Sequence, residues 1–170
     1  MTTTNETADD TVPTDLVDVR ELRATDLSAI VKIDRASTGS QRREYYETKF
    51  RAALAEPKLR TSLVAEVDGH VVGFLLARLY YGEFGRAEPV AVIDSLGVNP
   101  DHRGRNVGRA LMRQLLMNLD ALRVERVETQ VDGTQPDLLA FLARSGFRPA
   151  ARVCLERVLE PGRPSLLQRR

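Results

Sequence analysis

Hydrophobic residues recur at two different spacings along this chain, and these spacings predict helices and strands in turn. Leu16–Leu22 has the loose alternation of a β-strand. A helix follows, with Thr25 or Asp26 as its N-cap, and a second helix is expected from Gln41 to about Leu54. The first helix carries apolar residues at helical spacing, namely Leu27, Ile30, Val31 and Ile33. The chain is therefore predicted to open with one strand and two helices.

The middle of the chain is rich in β-branched residues. Thr61–Val67 and His70–Tyr80 have the composition of strands, and they are joined by an Asp-Gly pair. Such a pair between two β-rich runs is the strongest short-range signal for a hairpin. Residues 81–89 contain two glycines and predict a loop, after which Val90–Val98 predicts another strand.

The last part of the chain alternates helices with strands. A long amphipathic helix is predicted from about Gly104 to Leu122, a strand at Val124–Val131, and a short helix at Pro136–Ser145 that Gly146 ends. Phe147–Leu159 has the composition of a closing strand. This order of elements predicts an α/β domain in which helices cover both faces of a mixed sheet.

Length and local composition predict one domain between two tails. The chain has 170 residues, which suits a single domain, and we place it at residues 16–160. Residues 1–15 are acidic and Thr-rich without an aromatic residue, so we expect a disordered tail. Residues 161–170 contain two prolines and end in two arginines, and we expect a loose tail there as well.

Charge and cysteine content argue against several classes of function. With 25 basic and 24 acidic residues the net charge is +1, which disfavours a nucleic-acid-binding protein. A single cysteine, Cys154, excludes an intrachain disulfide, and with only two histidines it argues against a metal site. The sequence shows neither a membrane-spanning stretch nor the pattern of a signal peptide. We therefore expect a cytoplasmic protein that does not bind membranes.

The segment Val92–Leu116 carries the clearest chemical signal. Here a strand and a turn lead through the residues RGRNVG at positions 103–108 directly into the long helix. The first N–H groups of a helix lack intrahelical partners, and with the helix dipole they favour anions. Small residues let the main chain approach a phosphate closely, and the arginines add positive charge. The segment has neither the Gly-Lys-Ser/Thr of a P-loop nor the Gly-x-Gly-x-x-Gly of a dinucleotide-binding fold.

This arrangement resembles the pyrophosphate-binding signature of the GNAT superfamily of N-acetyltransferases, Gln/Arg-x-x-Gly-x-Gly/Ala. Arg103 stands at its first position and Gly108 at its last, while Asn106 replaces the middle glycine. Asparagine tolerates positive φ better than most residues, so this departure is mild. Gly146-Phe147 resembles the late Gly-Phe pair of the family, and the resemblance extends from about residue 17 to residue 159.

The resemblance implies a mixed, mostly antiparallel sheet of six to seven strands with helices on both faces. It also implies direct transfer of an acetyl group from acetyl-CoA to a primary amine, without a metal. In the family the fourth and fifth strands splay apart and the pantetheine lies between them, where a main-chain N–H polarises the thioester carbonyl. The implied cofactor-binding residues are Leu96, Gly97, Val98, Arg103, Gly104, Arg105, Asn106, Val107, Gly108 and Arg109.

Proton transfer points to a small set of candidate catalytic residues. The attacking amine must lose a proton, and Asp94 is the leading candidate for the base because many members of the family carry a carboxylate there. Period-two alternation would place Asp94 on one face with Leu96 and Val98. A structural role for Asp94, bonded to a neighbouring loop, is equally open, and Glu83 is the next candidate for the amine's charge. Leu142 stands where the family often has a tyrosine that protonates the leaving thiolate.

The acceptor site is expected near the first two helices and the loop before the motif strand. Polar and aromatic residues there are Asp34, Arg35, Arg42, Tyr45, Tyr46 and Tyr81. Packing and solvent exposure explain the same residues at least as well. Because Leu142 cannot donate a proton, the alternative function is a non-catalytic acyl-CoA-binding or regulatory domain of the same fold. Single domains of this family often pair through late strands, so a homodimer is a further expectation.

Overall fold

The computed structural model describes residues 17–55, 59, 61–81, 85 and 87–158. Both predicted tails and the candidate Glu83 lie outside these residues. The described strands and helices are β1 (Asp18–Glu21), α1 (Leu27–Thr38), α2 (Arg43–Ala55), β2 (Leu63–Val67), β3 (His70–Tyr80), β4 (Val90–Val98), α3 (Val107–Ala121), β5 (Val127–Thr129) and α4 (Pro136–Arg144). Short 3-10 helices precede α1 at Ala24–Asp26 and α3 at Pro100–His102.

The strands form one mixed sheet in the order β1-β2-β3-β4-β5. The first four strands pair antiparallel with their neighbours, and β4 pairs with β5 in parallel. The predicted β2–β3 hairpin is confirmed, and Asp68 and Gly69 at its turn both have positive φ, as a type I′ turn requires. A mixed, mostly antiparallel sheet is therefore present.

The number of strands differs from the six to seven that the resemblance implied. The described residues form five strands, and residues 147–158 form none. In that segment Val153, Leu155 and Val158 are largely exposed. β5 is only three residues long, so it offers few main-chain groups to a further strand, and a strand without a sheet neighbour is not stable. The β-rich composition of this segment therefore does not produce a strand here.

Two hydrophobic cores lie against the sheet. The α3-side core joins α3 and Leu142 of α4 to residues of β2, β3 and β4, and Val19 of β1 and Val127 of β5 pack against it. The α1/α2-side core contains Ile30 and Ile33 of α1, Tyr46 and Phe50 of α2, and the β3 residues Phe74 and Leu76. Helix α3 buries its predicted apolar positions up to Leu119, whereas Leu122, which caps the helix, is partly exposed.

Asp26 is the N-cap residue of α1, one of the two predicted, but its side chain makes no capping bond to that helix. The carboxylate instead accepts hydrogen bonds from both terminal nitrogens of Arg20, each at 2.8 Å, and from the Arg23 N–H at 2.7 Å. Burial raises the pKa of Asp26, but these hydrogen bonds outweigh it and bring the pKa below its ordinary value. Asp26 therefore ties β1 to the start of α1.

Candidate active site

The sheet has a gap beside the second half of β4, because β5 ends at Thr129. The two strands pair only from Ala91 to Ile93 on β4, and Thr129 Oγ1 donates to the Ile93 carbonyl at 3.0 Å at the end of the paired region. β4 continues to Val98, still paired with β3 on its other side. Within the described chain, residues 94–98 thus have no strand partner on the β5 side. Their main-chain donors and acceptors on that side need a partner of another kind.

The turn before α3 adopts the conformation that the signature requires. Gly104 and Asn106 have φ of 75° and 60°, so asparagine does take the left-handed conformation at the position of the middle glycine. Val107, the first residue of α3, is buried in the α3-side core. A well-ordered, left-handed turn therefore leads into a helix whose first N–H groups have no intrahelical acceptor.

Gly108 brings the start of α3 close to two other elements. A Cβ atom at this position would lie 3.3 Å from Phe141 Cε2 of α4 and 3.8 Å from Val98 Cγ2 of β4. The free end of β4, the start of α3 and one face of α4 therefore meet at Gly108. A larger residue here would press against Phe141.

Gly97 has a packing role on the opposite face of the sheet. A Cβ atom here would lie 2.5 Å from Cε1 of Phe74, which is fully buried in the α1/α2-side core. Gly97 also lies among the residues of β4 that have no strand on the β5 side. The absence of a side chain therefore leaves room for Phe74 in the core, in addition to the main-chain role that the resemblance implies.

Asp94 lies at a β-bulge. Ser95 pairs with Leu76 and Ile93 pairs with Ala77, so Asp94 is the extra residue of β4. Leu96 and Val98 pack against the α3-side core, whereas Asp94 contacts α2. The expectation that all three side chains share one face was wrong, because the bulge breaks the alternation of the strand.

Two cations hold the Asp94 carboxylate. Its Oδ1 atom lies 2.9 Å from Lys49 Nζ of α2, and its Oδ2 atom accepts from Arg78 Nε of β3 at 3.0 Å. The Asp94 side chain is only 12% exposed. Tyr45 lies beside this group, and its hydroxyl is 2.8 Å from Ser95 Oγ. Asp94 is thus bound by a helix and a strand rather than by a loop, and it is not a free carboxylate.

Lys49 and Arg78 were not identified from the sequence. Lys49 lies four residues after Tyr45 on α2, and its Nζ atom is 5.4 Å from the centre of that ring. Arg78 lies 5.4 Å from the ring centre of Tyr80. The signal that could have found Lys49 is its i,i+4 spacing from a candidate tyrosine. Nothing local indicates Arg78, since its approach to Asp94 depends on the register of β3 and β4.

Three predicted acceptor residues bond to one another instead, namely the buried Asp34 and Tyr46 and the exposed Arg42. Asp34 of α1 accepts hydrogen bonds from Tyr46 Oη at 2.9 Å and from both Nε and Nη2 of Arg42. Burial, followed by the bond to Asp34, raises the pKa of Tyr46 above its usual range. The bond to Asp34 likewise raises the pKa of Arg42. These contacts favour a packing role for Asp34, Arg42 and Tyr46, in which they join α1 to α2.

The remaining candidates lie at the surface or in the core. Arg35, Tyr81 and the three arginines of the motif region, Arg103, Arg105 and Arg109, are exposed. Leu142 is buried in the α3-side core and supplies no proton donor.

A cavity of about 210 Å³ lies between α2 and β3. Ala52, Ala53, Thr61, Leu79 and Tyr80 are part of its lining, and Arg78 is the charged residue among the described lining residues. No set of three His, Cys, Asp or Glu side chains suited to a metal ion occurs in the described residues. None of the described helices is long and apolar enough to cross a membrane.

Comparison with known proteins places these features in a family. A model of the acetyltransferase (GNAT) family matches residues 27–147, which is most of the chain. L-2,4-diaminobutyric acid acetyltransferase of Nocardia farcinica is 29% identical over 102 residues, covering 60% of this chain. The chain spans about half the length of that relative, since the match covers 51% of it.

Solved structures show the same fold at low sequence identity. A transcriptional regulator from Bacillus halodurans aligns with a TM-score of 0.70 and 19% identity, covering 84% of this chain and 99% of that one. AAC(6')-Iy, in complex with the bisubstrate analogue CoA-S-monomethyl-acetylneamine, aligns with a TM-score of 0.62 and 19% identity, covering 84% and 98%. With its mixed sheet and its family match together, this chain belongs to the GNAT family of acetyltransferases.

Proposed function

We propose that this chain transfers an acetyl group from acetyl-CoA to a primary amine of a small molecule or protein. The observation that carries the proposal is the gap beside residues 94–98 of β4, which have no strand on the β5 side and end close to the start of α3. Strand-like main chain along one side and free helix N–H groups at one end suit an extended amide chain that ends in a diphosphate.

Residues 94–98 of β4, which have no strand on the β5 side, would hold the pantetheine arm. Main-chain groups of Leu96, Gly97 and Val98 pair with its amides, and the N–H near Val98 donates to the thioester carbonyl as the reaction proceeds. The turn and first turn of α3, residues 103–109, bind the diphosphate, with the exposed arginines adding charge. Bound acetyl-CoA supplies the activated acetyl group.

The acetyl transfer forms one bond and breaks one. The amine nitrogen bonds to the acetyl carbon, the carbon–sulfur bond breaks, and coenzyme A leaves as the thiolate. One proton must leave the amine, and Asp94 is the first residue of β4 beyond those that pair with β5. Each oxygen of a carboxylate has two lone pairs, so Asp94 can accept that proton while it stays paired with Lys49 and Arg78. Since Leu142 is apolar and buried, the thiolate takes its proton from water.

The alternative is a non-catalytic domain that binds acyl-CoA. Two observations favour it: the ion-paired state of Asp94 and the leucine in place of an acid at position 142. Both functions share the cofactor site, so they differ only in the chemical step.

Two assays on the same preparation distinguish the functions. Acetyl-CoA is first titrated into the protein by calorimetry, and release of free thiol is then followed with acetyl-CoA and a panel of primary amines. Thiol release that depends on the amine, with the acetylated amine identified by mass spectrometry, supports the acetyltransferase. Binding without thiol release across the panel supports the non-catalytic domain. Absence of acetyl-CoA binding contradicts both.

A further inference from the structure

The group around Asp94 contains more positive than negative charge. Lys49 and Arg78 share this one carboxylate, and the described residues place no other anion within ion-pair distance of either cation. Their remaining described neighbours are the rings of Tyr45 and Tyr80, which attract cations weakly. We name these residues, Lys49, Arg78 and Asp94, the Asp94 cluster. It therefore carries one unmatched positive charge.

The Asp94 cluster lies beside the proposed reaction site. Asp94 is the first residue of β4 beyond the last one that pairs with β5. Its side chain lies on the sheet face covered by α2, and Arg78 also lines the cavity between α2 and β3. An acceptor that approaches the gap from this face meets both cations as well as the carboxylate, because both cation side chains are more exposed than that of Asp94.

An amine in water is itself a cation and must compete with these groups. Beside Asp94 it lies close to Lys49 and Arg78, whose side chains are only 19% and 35% exposed, so solvent screens the repulsion weakly. Drawing Asp94 away from either side chain would leave a partly buried cation without its partner, which is unfavourable. An acceptor that carries both an ammonium group and a carboxylate avoids both costs, because its carboxylate pairs with the cations while its ammonium group faces Asp94.

We propose that the acceptor is a small amine that bears a carboxylate, and that Lys49 and Arg78 bind this carboxylate while the amine faces Asp94. The inference rests on the proposed acetyltransferase function and makes it more specific. It assigns Lys49 and Arg78 to acceptor selection, a role that depends on charge rather than on their packing. Polycationic amines are disfavoured by the same two side chains.

The test compares amines that differ only in the carboxylate. Three pairs serve: 2,4-diaminobutyrate with 1,3-diaminopropane, ornithine with putrescine, and lysine with cadaverine. Acetylation by the full chain is measured as kcat/KM for each compound at saturating acetyl-CoA. In at least one pair the carboxylated amine should be preferred by about tenfold or more. Equal use of both members of every pair, or preference for the decarboxylated member, overturns the inference.

Two variants and one matched control identify the residues. Lys49→Met and Arg78→Met should each lower the preference for the carboxylated amine by about tenfold, because each removes one cation. Lys32→Met makes the same change at an exposed position on α1 and should keep the wild-type preference. If Lys49→Met and Arg78→Met slow both members of a pair equally, the residues are only structural and the inference is wrong. If either variant fails to fold, the ratio of the two kcat/KM values of wild type within each pair decides the substrate class.

Failure of this inference is distinguishable from failure of the proposed function. Acetylation of amines irrespective of their carboxylate contradicts the inference and leaves the acetyltransferase intact. Binding of acetyl-CoA without acetylation of any amine contradicts the acetyltransferase, and the inference falls with it.

Discussion

The close contact between Gly97 and Phe74 predicts that a single methyl group on β4 will destabilise the domain. The Cβ atom of Gly97→Ala would lie 2.5 Å from Phe74 Cε1 and 2.7 Å from Cζ, against about 3.5 to 4.0 Å for an ordinary carbon contact. Relief therefore requires a shift of about 1 Å. The ring has little room to move, because it is fully buried and its edge packs against Tyr46 at a centroid distance of 5.7 Å.

The expected size follows from overpacking of a filled core. Forcing an extra carbon into such a core costs about 1 to 3 kcal/mol. Restricting the unfolded chain by replacing glycine with alanine returns about 0.4 to 1 kcal/mol. The middle of both ranges gives a net loss of about 1.3 kcal/mol, which lowers the melting temperature by roughly 3 to 5 °C for a domain of this size.

Calorimetric melting of four variants, Gly97→Ala, Gly133→Ala, Phe74→Leu and the double change of Gly97 and Phe74, tests this estimate. Gly133→Ala is the control, because a Cβ atom there meets no other atom within 4 Å, and it should melt at or slightly above the wild-type temperature. Adding Phe74→Leu to Gly97→Ala should cost less than the sum of the two single changes, since the smaller side chain removes the overlap. The reasoning is refuted if Gly97→Ala melts no lower than Gly133→Ala.

Three further predictions concern named contacts. Asp26→Asn should lower the stability at neutral pH. Because the pKa of Asp26 is lowered in the folded protein, its ionised form stabilises the fold above the ordinary pKa of 3.8, and this stabilisation is lost as the pH falls below that value. The urea midpoints of variant and wild type should therefore differ at about pH 7 and converge near pH 2; midpoints that still differ at low pH would contradict the role of Arg20. Tyr46→Phe should lower the free energy of unfolding by about 1.5 to 3 kcal/mol in urea titrations, because Asp34 loses a buried donor; an unchanged value would contradict it. Leu142→Tyr should lower the stability by about 1 to 3 kcal/mol through overpacking, without faster thiol release; faster release would show that position 142 does face the sulfur.

Local patterns predicted most of the elements. The Asp-Gly turn, the helical spacing in α1 and α3, and the glycine that ends α4 each depend on neighbouring residues, and the structure confirms them. Gly146, for example, has φ of 88°, which a helix-ending glycine adopts easily. The predicted closing strand was wrong because strand formation needs a neighbouring edge, which composition does not reveal.

The site was harder to predict because it depends on register. The bulge at Asp94 shifts β4 against β3, and that shift decides which face Asp94 lies on. Its partners come from two elements 45 and 16 residues away in sequence, Lys49 and Arg78, and only the packed fold brings them together. By contrast, the left-handed Asn106 follows from a local motif, and the sequence predicted it.

Calorimetric titration of acetyl-CoA into the wild-type protein and the Gly108→Glu variant tests the central claim most directly. A glutamate at the start of α3 would add a like charge close to the proposed diphosphate site, and its Cβ atom would lie 3.3 Å from Phe141 of α4. Met117→Glu adds the same charge at an exposed position of the same helix and serves as the control, and thermal melting verifies that each variant is folded. We expect wild type and Met117→Glu to bind alike, and Gly108→Glu to bind more than about tenfold more weakly. Equal affinity in a folded Gly108→Glu protein, or no binding by wild type, would contradict the assignment of this site to acetyl-CoA.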